Sequence, residues 1–270
     1  MKTLSLTVAV AIVSSFCGVS PTSTADDLRS ATPSFDCSFF HDATASIPQK
    51  SADPVTLETV LKKMDAVAAN FRTTQAEFEW DNYQKVIDEV DDVETGNIYY
   101  RRSGKEVEMM AEVKKAGASP NSIKPDEKYI LFSGGKVRVY EKKIDQVTEF
   151  DLGKNRSDLE GYIVLGFGGS GQDLQKAFDV TYAGPETING MATAKLQLIP
   201  KSERVKNTYK QILLWIDLER GISVQQQLIQ PQGDYRLAKY SSIQVNGKRI
   251  PDDVFRLKTT SKTQTIVPRG

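Results

Sequence analysis

Residues 129–140 read YILFSGGKVRVY, which is the pattern of a β-hairpin. Val137 and Val139 alternate with polar neighbours, so they share one face of a strand, and an apolar run precedes them. Ser133-Gly134-Gly135 supplies the residue types of a tight turn between antiparallel strands. The centre of the chain is therefore predicted to be an antiparallel sheet.

The period of two continues on both sides of this hairpin. A polar loop is expected over 114–125, and turns at 142–145 and Asn246-Gly247. No alternation of strands and helices indicates a parallel sheet, so the chain predicts a barrel or a strongly curved sheet. The predicted strands are 76–83, 96–102, 106–113, 128–132, 136–141, 146–151, 178–182, 192–200, 209–217, 222–230, 235–245 and 254–257.

An amphipathic helix is predicted before the first strand, with Asp53 as N-cap and Pro54 at the first helical position. Two shorter helical segments, 159–165 and 173–178, flank a glycine-rich break. The expected fold is mainly β with α, an unclosed antiparallel β-barrel whose open face is covered by helices. The apolar stripe of the first helix consists of Leu57, Leu61, Met64, Ala68 and Phe71.

The first 25 residues have the features of a secretory signal peptide. Lys2 gives a positive start, and the apolar run 4–16 is too short to span a bilayer well. Ser23-Thr24-Ala25 offers small residues for cleavage, so the mature chain is expected to begin at Asp26. Export to the periplasm follows from this assignment.

Cys17 raises the alternative of a lipid anchor, although Phe16 stands where a lipobox requires a small residue. With Cys17 removed, Cys37 is left alone and forms no internal disulfide. Residues 26–53 are rich in Ser, Thr, Ala, Pro and Asp and predict a flexible arm. Residues 54–265 are then expected to form one domain held by an apolar core.

Composition argues against several classes of function. Thirty-five basic and 35 acidic residues balance, whereas nucleic acid or an anionic membrane as main partner requires a basic excess. His41 is the only histidine, which argues against a rigid catalytic triad and a zinc cluster. A non-enzymatic, monomeric protein without metal or cofactor is expected; a secreted hydrolase remains an alternative without a signature.

Residues 166–171 read GFGGSG and match the dinucleotide-binding pattern G-x-G-x-x-G. That function requires a parallel βαβ unit around the motif, and the neighbouring patterns are antiparallel. The other interpretation is a hinge between two covering helices, because glycines allow a lid to move.

Arg101 and Arg102 end the strand that begins at Gly96. They are either solvated residues of a strand end or a clamp, since a guanidinium can donate to several backbone carbonyls of a lid.

Four segments resemble the periplasmic lipoprotein carrier family, which is LolA-like and shares its fold with LolB-like outer-membrane receptors. Residues 61–78 resemble the family's first helix and first strand. GNIYYRR at 96–102 is similar to its next strand, 129–140 to its hairpin, and the region from Trp215 to Phe255 to its last strands. The resemblance spans roughly 57–260.

This resemblance implies an apolar cavity under a helical lid and transport of lipoproteins from the inner to the outer membrane. It also implies two partners, an inner-membrane lipoprotein-releasing transporter and an outer-membrane acceptor. Arg102 matches the arginine that holds the lid shut in the family. The family's following proline is Ser103 here, so Arg101 remains a rival.

Apolar side chains along the predicted elements are ordinarily core, yet their number next to two apolar helices permits a ligand cavity. Two other functions are compatible with the same fold, an envelope-stress sensor that binds a regulatory protein and a lipid-anchored lipoprotein acceptor. The candidate cavity residues are Leu61, Met64, Phe71, Ile98, Tyr100, Met109, Leu131, Val139, Leu159, Ile163, Leu214 and Leu228.

Overall fold

A computed structural model describes residues 55–104, 106–153 and 165–268. The predicted signal peptide, the arm, Cys17 and the proposed cap at Asp53 lie outside these ranges. So do two candidate cavity residues, Leu159 and Ile163. The domain boundaries drawn from the sequence stay predictions.

Twelve strands of the described residues form one sheet, in the order β12-β6-β5-β4-β3-β2-β1-β11-β10-β9-β8-β7. Neighbouring strands are antiparallel except β12, which runs parallel to β6. β12 and β7 are the edges, so the sheet is not closed into a barrel, and the predicted fold class is confirmed. The strands are β1 Thr73–Gln84, β2 Glu89–Ser103, β3 Glu106–Gly117, β4 Lys124–Ser133, β5 Lys136–Glu141, β6 Gln146–Asp151, β7 Phe178–Ile188, β8 Met191–Pro200, β9 Gln211–Asp217, β10 Ser223–Ile229, β11 Tyr235–Val245 and β12 Gln264–Ile266.

The predicted hairpin at 129–140 is present, because β4 and β5 pair from Lys128↔Glu141 to Ser133↔Lys136. Two expectations about strands are wrong. The stretch 254–257 is not a strand, because Asp252–Phe255 is a 3₁₀ helix whose Phe255 is buried. The loop predicted at 114–125 is short, since β3 and β4 extend into it on either side of a 3₁₀ turn at Pro120–Ser122.

Three α-helices occur in the described ranges, α1 Leu57–Asn70, α2 Gly171–Ala177 and α3 Glu203–Lys206. α1 begins later than predicted: Thr56 is its N-cap and forms a reciprocal capping box with Thr59. Its buried residues are three of the predicted stripe, Leu61, Met64 and Ala68, together with Val60. None of the helices in these ranges has the length and apolar character needed to cross a membrane.

The sheet has two buried faces of unequal size. The inner face, defined here as the side that packs against α1 and α2, carries most of the core. The outer face carries a smaller cluster in which the C-terminal segment packs Ile250 and Phe255 against Met110 and Leu131. Because side chains alternate along a strand, one residue shift exchanges the two faces.

Candidate functional site

The inner face gathers most of the predicted cavity residues. Leu61 and Met64 of α1 pack with Leu214 of β9, and Leu228 contacts this cluster from β10. A second cluster unites Phe71, Ile98 and Tyr100, and Met109 packs against it. A third contains Val139, with Met109 again at its border. Every strand from β1 to β9, and β11 as well, contributes buried side chains to these clusters.

Leu131 does not belong to this surface. Its neighbours in the sheet, Ile130 and Phe132, face the inner side, whereas Leu131 packs with Met110 on the outer face. The expectation that Leu131 lines a cavity with the other candidates is therefore wrong. The error arises because β4 is apolar on both faces, so alternation alone does not identify the inner one.

Phe167, in the middle of the segment 166–171 (called the glycine segment below), inserts into the inner face. Its side chain is fully buried. The ring stacks on Tyr100 with centroids 5.2 Å apart and meets Tyr240 edge-on at 4.5 Å. Burial raises the pKa of Tyr240 to about 12, so this phenol is neutral at neutral pH. Phe167 thus occupies an aromatic slot on the sheet.

The glycines of this segment allow it to approach the sheet and α1 closely. Gly168 has a φ of +87°, and a Cβ there would lie 2.4 Å from Cγ of Phe71. A Cβ on Gly171 would lie 2.8 Å from Cβ of Leu61. Close backbone approach therefore accounts for the glycine pattern. The dinucleotide interpretation lacks its parallel βαβ context, since the strand that follows α2 pairs antiparallel.

Three polar contacts attach the glycine segment and Leu165, the residue before it, to the sheet through backbone carbonyls. Nε2 of Gln226 donates to the carbonyl of Leu165 at 2.5 Å. The backbone N–H of Ser223 donates to the carbonyl of Gly166 at 2.9 Å. Nη2 of Arg102 donates to the carbonyl of Gly168 at 3.0 Å. Two of these three bonds come from side chains of the inner face, Gln226 and Arg102.

Arg102 joins three elements at one end of the inner face. Besides Gly168, its guanidinium donates to the carbonyl of Ala68 at 3.4 Å, in the last turn of α1. The guanidinium carbon lies 5.3 Å from the ring centroid of Phe71. The position on β2 is fixed because the N–H of Arg102 bonds to the carbonyl of Arg72, where β1 begins. A single side chain therefore ties β2 to both α1 and the glycine segment.

Arg101 points to the other side of the sheet. Its Nε and Nη2 donate to Oε2 of Glu108 at 2.9 and 2.5 Å, and Nη1 pairs with Asp252. The guanidinium lies 4.3 Å from the ring of Phe255. Arg101 thus fastens the C-terminal 3₁₀ helix to the outer face. The two arginines that the sequence left as rivals are separated by strand alternation.

Reasoning from the sequence missed Phe167 and Gln226. Phe167 was missed because the segment around it was interpreted only as a glycine motif. A lone aromatic residue among glycines is a signal for insertion into a core. Gln226 lies in a run of three glutamines, and period-two alternation with Val224 and Leu228 would have indicated an inward position. No group of three or more His, Cys, Asp or Glu residues suited to a metal ion occurs in the described part of the chain.

No family model matches the chain, and no curated protein matches it. Solved structures of similar fold include MucB, with a TM-score of 0.46, 11% identity, and coverage of 75% of this chain and 63% of that chain. This chain thus spans less than two thirds of MucB. An uncharacterized conserved protein from Thermus thermophilus has a TM-score of 0.48, 9% identity, and coverage of 78% of this chain and 98% of that chain.

A LolA superfamily protein from Nitrosomonas europaea has a TM-score of 0.36 and 14% identity, covering 76% of this chain and 99% of that chain. A LolA superfamily protein is therefore among the solved structures to which this chain is similar. At such TM-scores and identities the likeness concerns the fold class and carries no information on ligand or partner.

Proposed function

We propose that this protein is a periplasmic carrier that binds the acyl chains of lipoproteins on the inner face and delivers them toward the outer membrane. The observation that supports this most directly is the insertion of Phe167 into an apolar surface by a segment attached through a few polar contacts. If the glycine segment moves away from the sheet, Phe167 leaves its slot, and an apolar ligand such as an acyl chain can take its place.

Energetics favour a carrier of this design. Burial of an acyl chain is worth about 0.8 kcal/mol per methylene, so an acylated protein requires an apolar host to cross an aqueous space. Release at the destination requires that a competing state occupy the same surface. In this proposal the closed state is that competitor, because Phe167 returns to Tyr100 and Tyr240 when the ligand leaves.

Arg102 is the lid latch in this proposal. Its bonds to Gly168 and Ala68 are made only when the glycine segment and α1 are close to β2. Each hydrogen bond from a charged donor contributes on the order of 1.5–3 kcal/mol, which a partner protein can overcome by binding the open form. Arg101 is excluded from this role because its contacts are on the outer face.

The proposed partners follow from the same mechanism. An inner-membrane lipoprotein-releasing transporter would load the open form, and an outer-membrane acceptor would receive the cargo. The protein itself acts as a monomer in the periplasm and carries out no chemical reaction on the lipoprotein.

The test uses spheroplasts, which retain their own releasing transporter and display lipoproteins destined for the outer membrane. Purified mature protein is added, the membranes are pelleted, and the lipoproteins in the supernatant are quantified by immunoblotting. We expect acylated lipoprotein to appear in the supernatant in complex with the carrier. A verified carrier is run in parallel as the positive control.

The matched control is an equal amount of a variant with engineered cysteines at Gly171 and Leu61, which contact each other in the closed state, so that their disulfide holds the glycine segment and Phe167 in place. Release that is equal with and without the crosslink would contradict a role for the inner face. Absence of release by the wild type, when the verified carrier works, would contradict the proposed function altogether.

A further inference from the structure

The inner face ends in polar side chains at the end opposite to Arg102. This polar end consists of Asn82, Asp92, Glu94, Lys128 and Arg236. Trp80, on the inner face of β1, pairs with Glu94 of β2 and Ala238 of β11. Asn82, two residues further along β1, pairs with Asp92 and Arg236, so these side chains point to the same face. Glu94 and Arg102 are eight residues apart on β2, roughly 26 Å along the strand.

These side chains are connected to one another. Lys128 of β4 forms an ion pair with Oε1 of Glu94. Nδ2 of Asn82 donates to Oδ2 of Asp92 at 2.9 Å, and Nε of Arg236 donates to Oδ1 of Asn82 at 3.0 Å. The guanidinium of Arg236 also lies 5.4 Å from the ring centroid of Trp80, where the apolar surface begins. The boundary between apolar and polar side chains is therefore sharp.

One acceptor of this cluster is buried without a partner. Glu94 is 2% exposed, and among the described residues its Oε2 has no hydrogen-bond donor. Buried polar atoms are nearly always bonded, and an unpaired carboxylate oxygen is costly. Burial raises the pKa of Glu94 despite the nearby Lys128, and burial also raises the pKa of Asp92.

We propose that Glu94 binds a hydrogen-bond donor, a hydroxyl or an amide N–H, at the root of the acyl chains. This inference rests on the proposed function, since it requires acyl chains on the inner face. The unpaired Oε2 accepts the hydrogen bond, and Lys128 holds the carboxylate in place through Oε1. Glu94 is thus a specificity-determining residue that orients the ligand.

The arrangement of the inner face sets this orientation. An amphiphile places its hydrocarbon along Trp80, Phe78 and Ile98, which are buried and apolar, and its polar root where charged side chains replace them. The end near Arg102 is lined by Phe71 and Tyr100, and the slot that Phe167 vacates there offers hydrocarbon contacts to the chain termini. A ligand root without a donor leaves Oε2 unpaired and binds more weakly.

The experiment compares three probes with the same saturated chain, namely a 1-monoacylglycerol, a primary fatty amide and a fatty acid methyl ester. The first two donate from a hydroxyl and an N–H respectively, and the ester has no donor. Dissociation constants are measured by displacement of a fluorescent fatty acid from the wild-type protein. We expect one or both donors to bind about tenfold more tightly than the ester, the value of one hydrogen bond to a charged acceptor.

Comparison of the two donors identifies which source of the hydrogen bond the site accepts. Equal affinity of all three probes overturns the inference and leaves the proposed function standing. Failure of all three probes and of the fluorescent fatty acid to bind overturns the proposed function itself.

The variant Glu94→Met/Lys128→Met removes the acceptor together with its ion-pair partner, so no charge is left buried alone. The matched control, Glu186→Met/Lys195→Met, removes an ion pair of 3.1 Å from the outer face of β7 and β8. We expect the preference for donors to vanish in the first variant and to persist in the control. If the preference for donors persists in both variants, the inference is overturned. The ranking of the three probes on the wild-type protein tests the inference independently of how well the variant folds.

Discussion

Arg102→Leu removes the contacts that hold the glycine segment to β2. The bond to the carbonyl of Gly168 is 3.0 Å long, and a bond from a charged donor contributes about 1.5–3 kcal/mol. The bond to Ala68, at 3.4 Å, is near the limit of a hydrogen bond and adds little. The contact with Phe71 adds about 0.5–1 kcal/mol. The closed state therefore loses about 2–4 kcal/mol relative to the open state.

A loss of this size shifts the closed–open equilibrium about 30-fold or more. When the closed state dominates, apparent affinity is reduced by the fraction of molecules that can bind. Arg102→Leu is therefore expected to lower the apparent dissociation constant of a fluorescent fatty acid, by up to that factor, and to slow its release. Affinity is measured by equilibrium titration and release by stopped-flow displacement with excess unlabelled fatty acid.

Arg101→Leu is the control, because it makes the same change one residue away on the outer face. It breaks the contacts with Glu108 and Asp252 and is expected to lower stability while leaving fatty acid affinity and release unchanged. Unchanged release by Arg102→Leu would remove this arginine from the mechanism. Equal effects of the two substitutions would refute the latch, since a general loss of stability would then explain both.

Phe167→Ala is expected to lower the free energy of unfolding by about 3–5 kcal/mol, because the ring is fully buried, and to retain or strengthen fatty acid binding; loss of binding would contradict competition for the slot. Gly168→Ala, at φ +87° and against the ring of Phe71, should destabilise the closed segment by more than about 1 kcal/mol, seen as faster amide exchange of the glycine segment. Burial by itself raises the pKa of Asp217, but bonds from Arg220 and Glu219 outweigh it and lower that pKa. Asp217 therefore stabilises the fold at pH values above its unfolded pKa, and this stabilisation is lost as the pH falls through the lowered pKa. Between about pH 5 and about pH 2, the free energy of unfolding measured in urea should fall more in the wild type than in Asp217→Asn.

Local pattern was sufficient for much of the sheet. β5, β6 and β11 have the predicted bounds, and in β5 the buried Val137 and Val139 show the alternation on which the prediction was based. β12 escaped prediction, since its three residues are all exposed and its partner β6 is more than 110 residues away. The sequence predicted a strand around Phe255 because its neighbours are apolar. Phe255 is instead the last residue of a 3₁₀ helix, which also buries its ring against the outer face.

The candidate site was predicted less completely than the sheet. Leu61, Met64, Ile98, Tyr100 and Leu214 share the inner face because each continues an apolar stripe or alternation that is visible in the sequence. The contacts of the glycine segment were not predictable in this way. They join residues more than 50 positions apart, and nothing local specifies that Gln226 meets Leu165 or that Arg102 meets Gly168.

The amino-acid sequence by itself determined the kind of elements and their order, since hydrophobic period and turn residues act within a few positions of the chain. Tertiary structure alone decided which arginine meets the glycine segment, which leucine faces outward and that Oε2 of Glu94 is buried without a hydrogen-bond donor among the described residues. The physical reason is that alternation sends neighbouring side chains to opposite faces, and only the packing of distant elements makes one of those faces the interior.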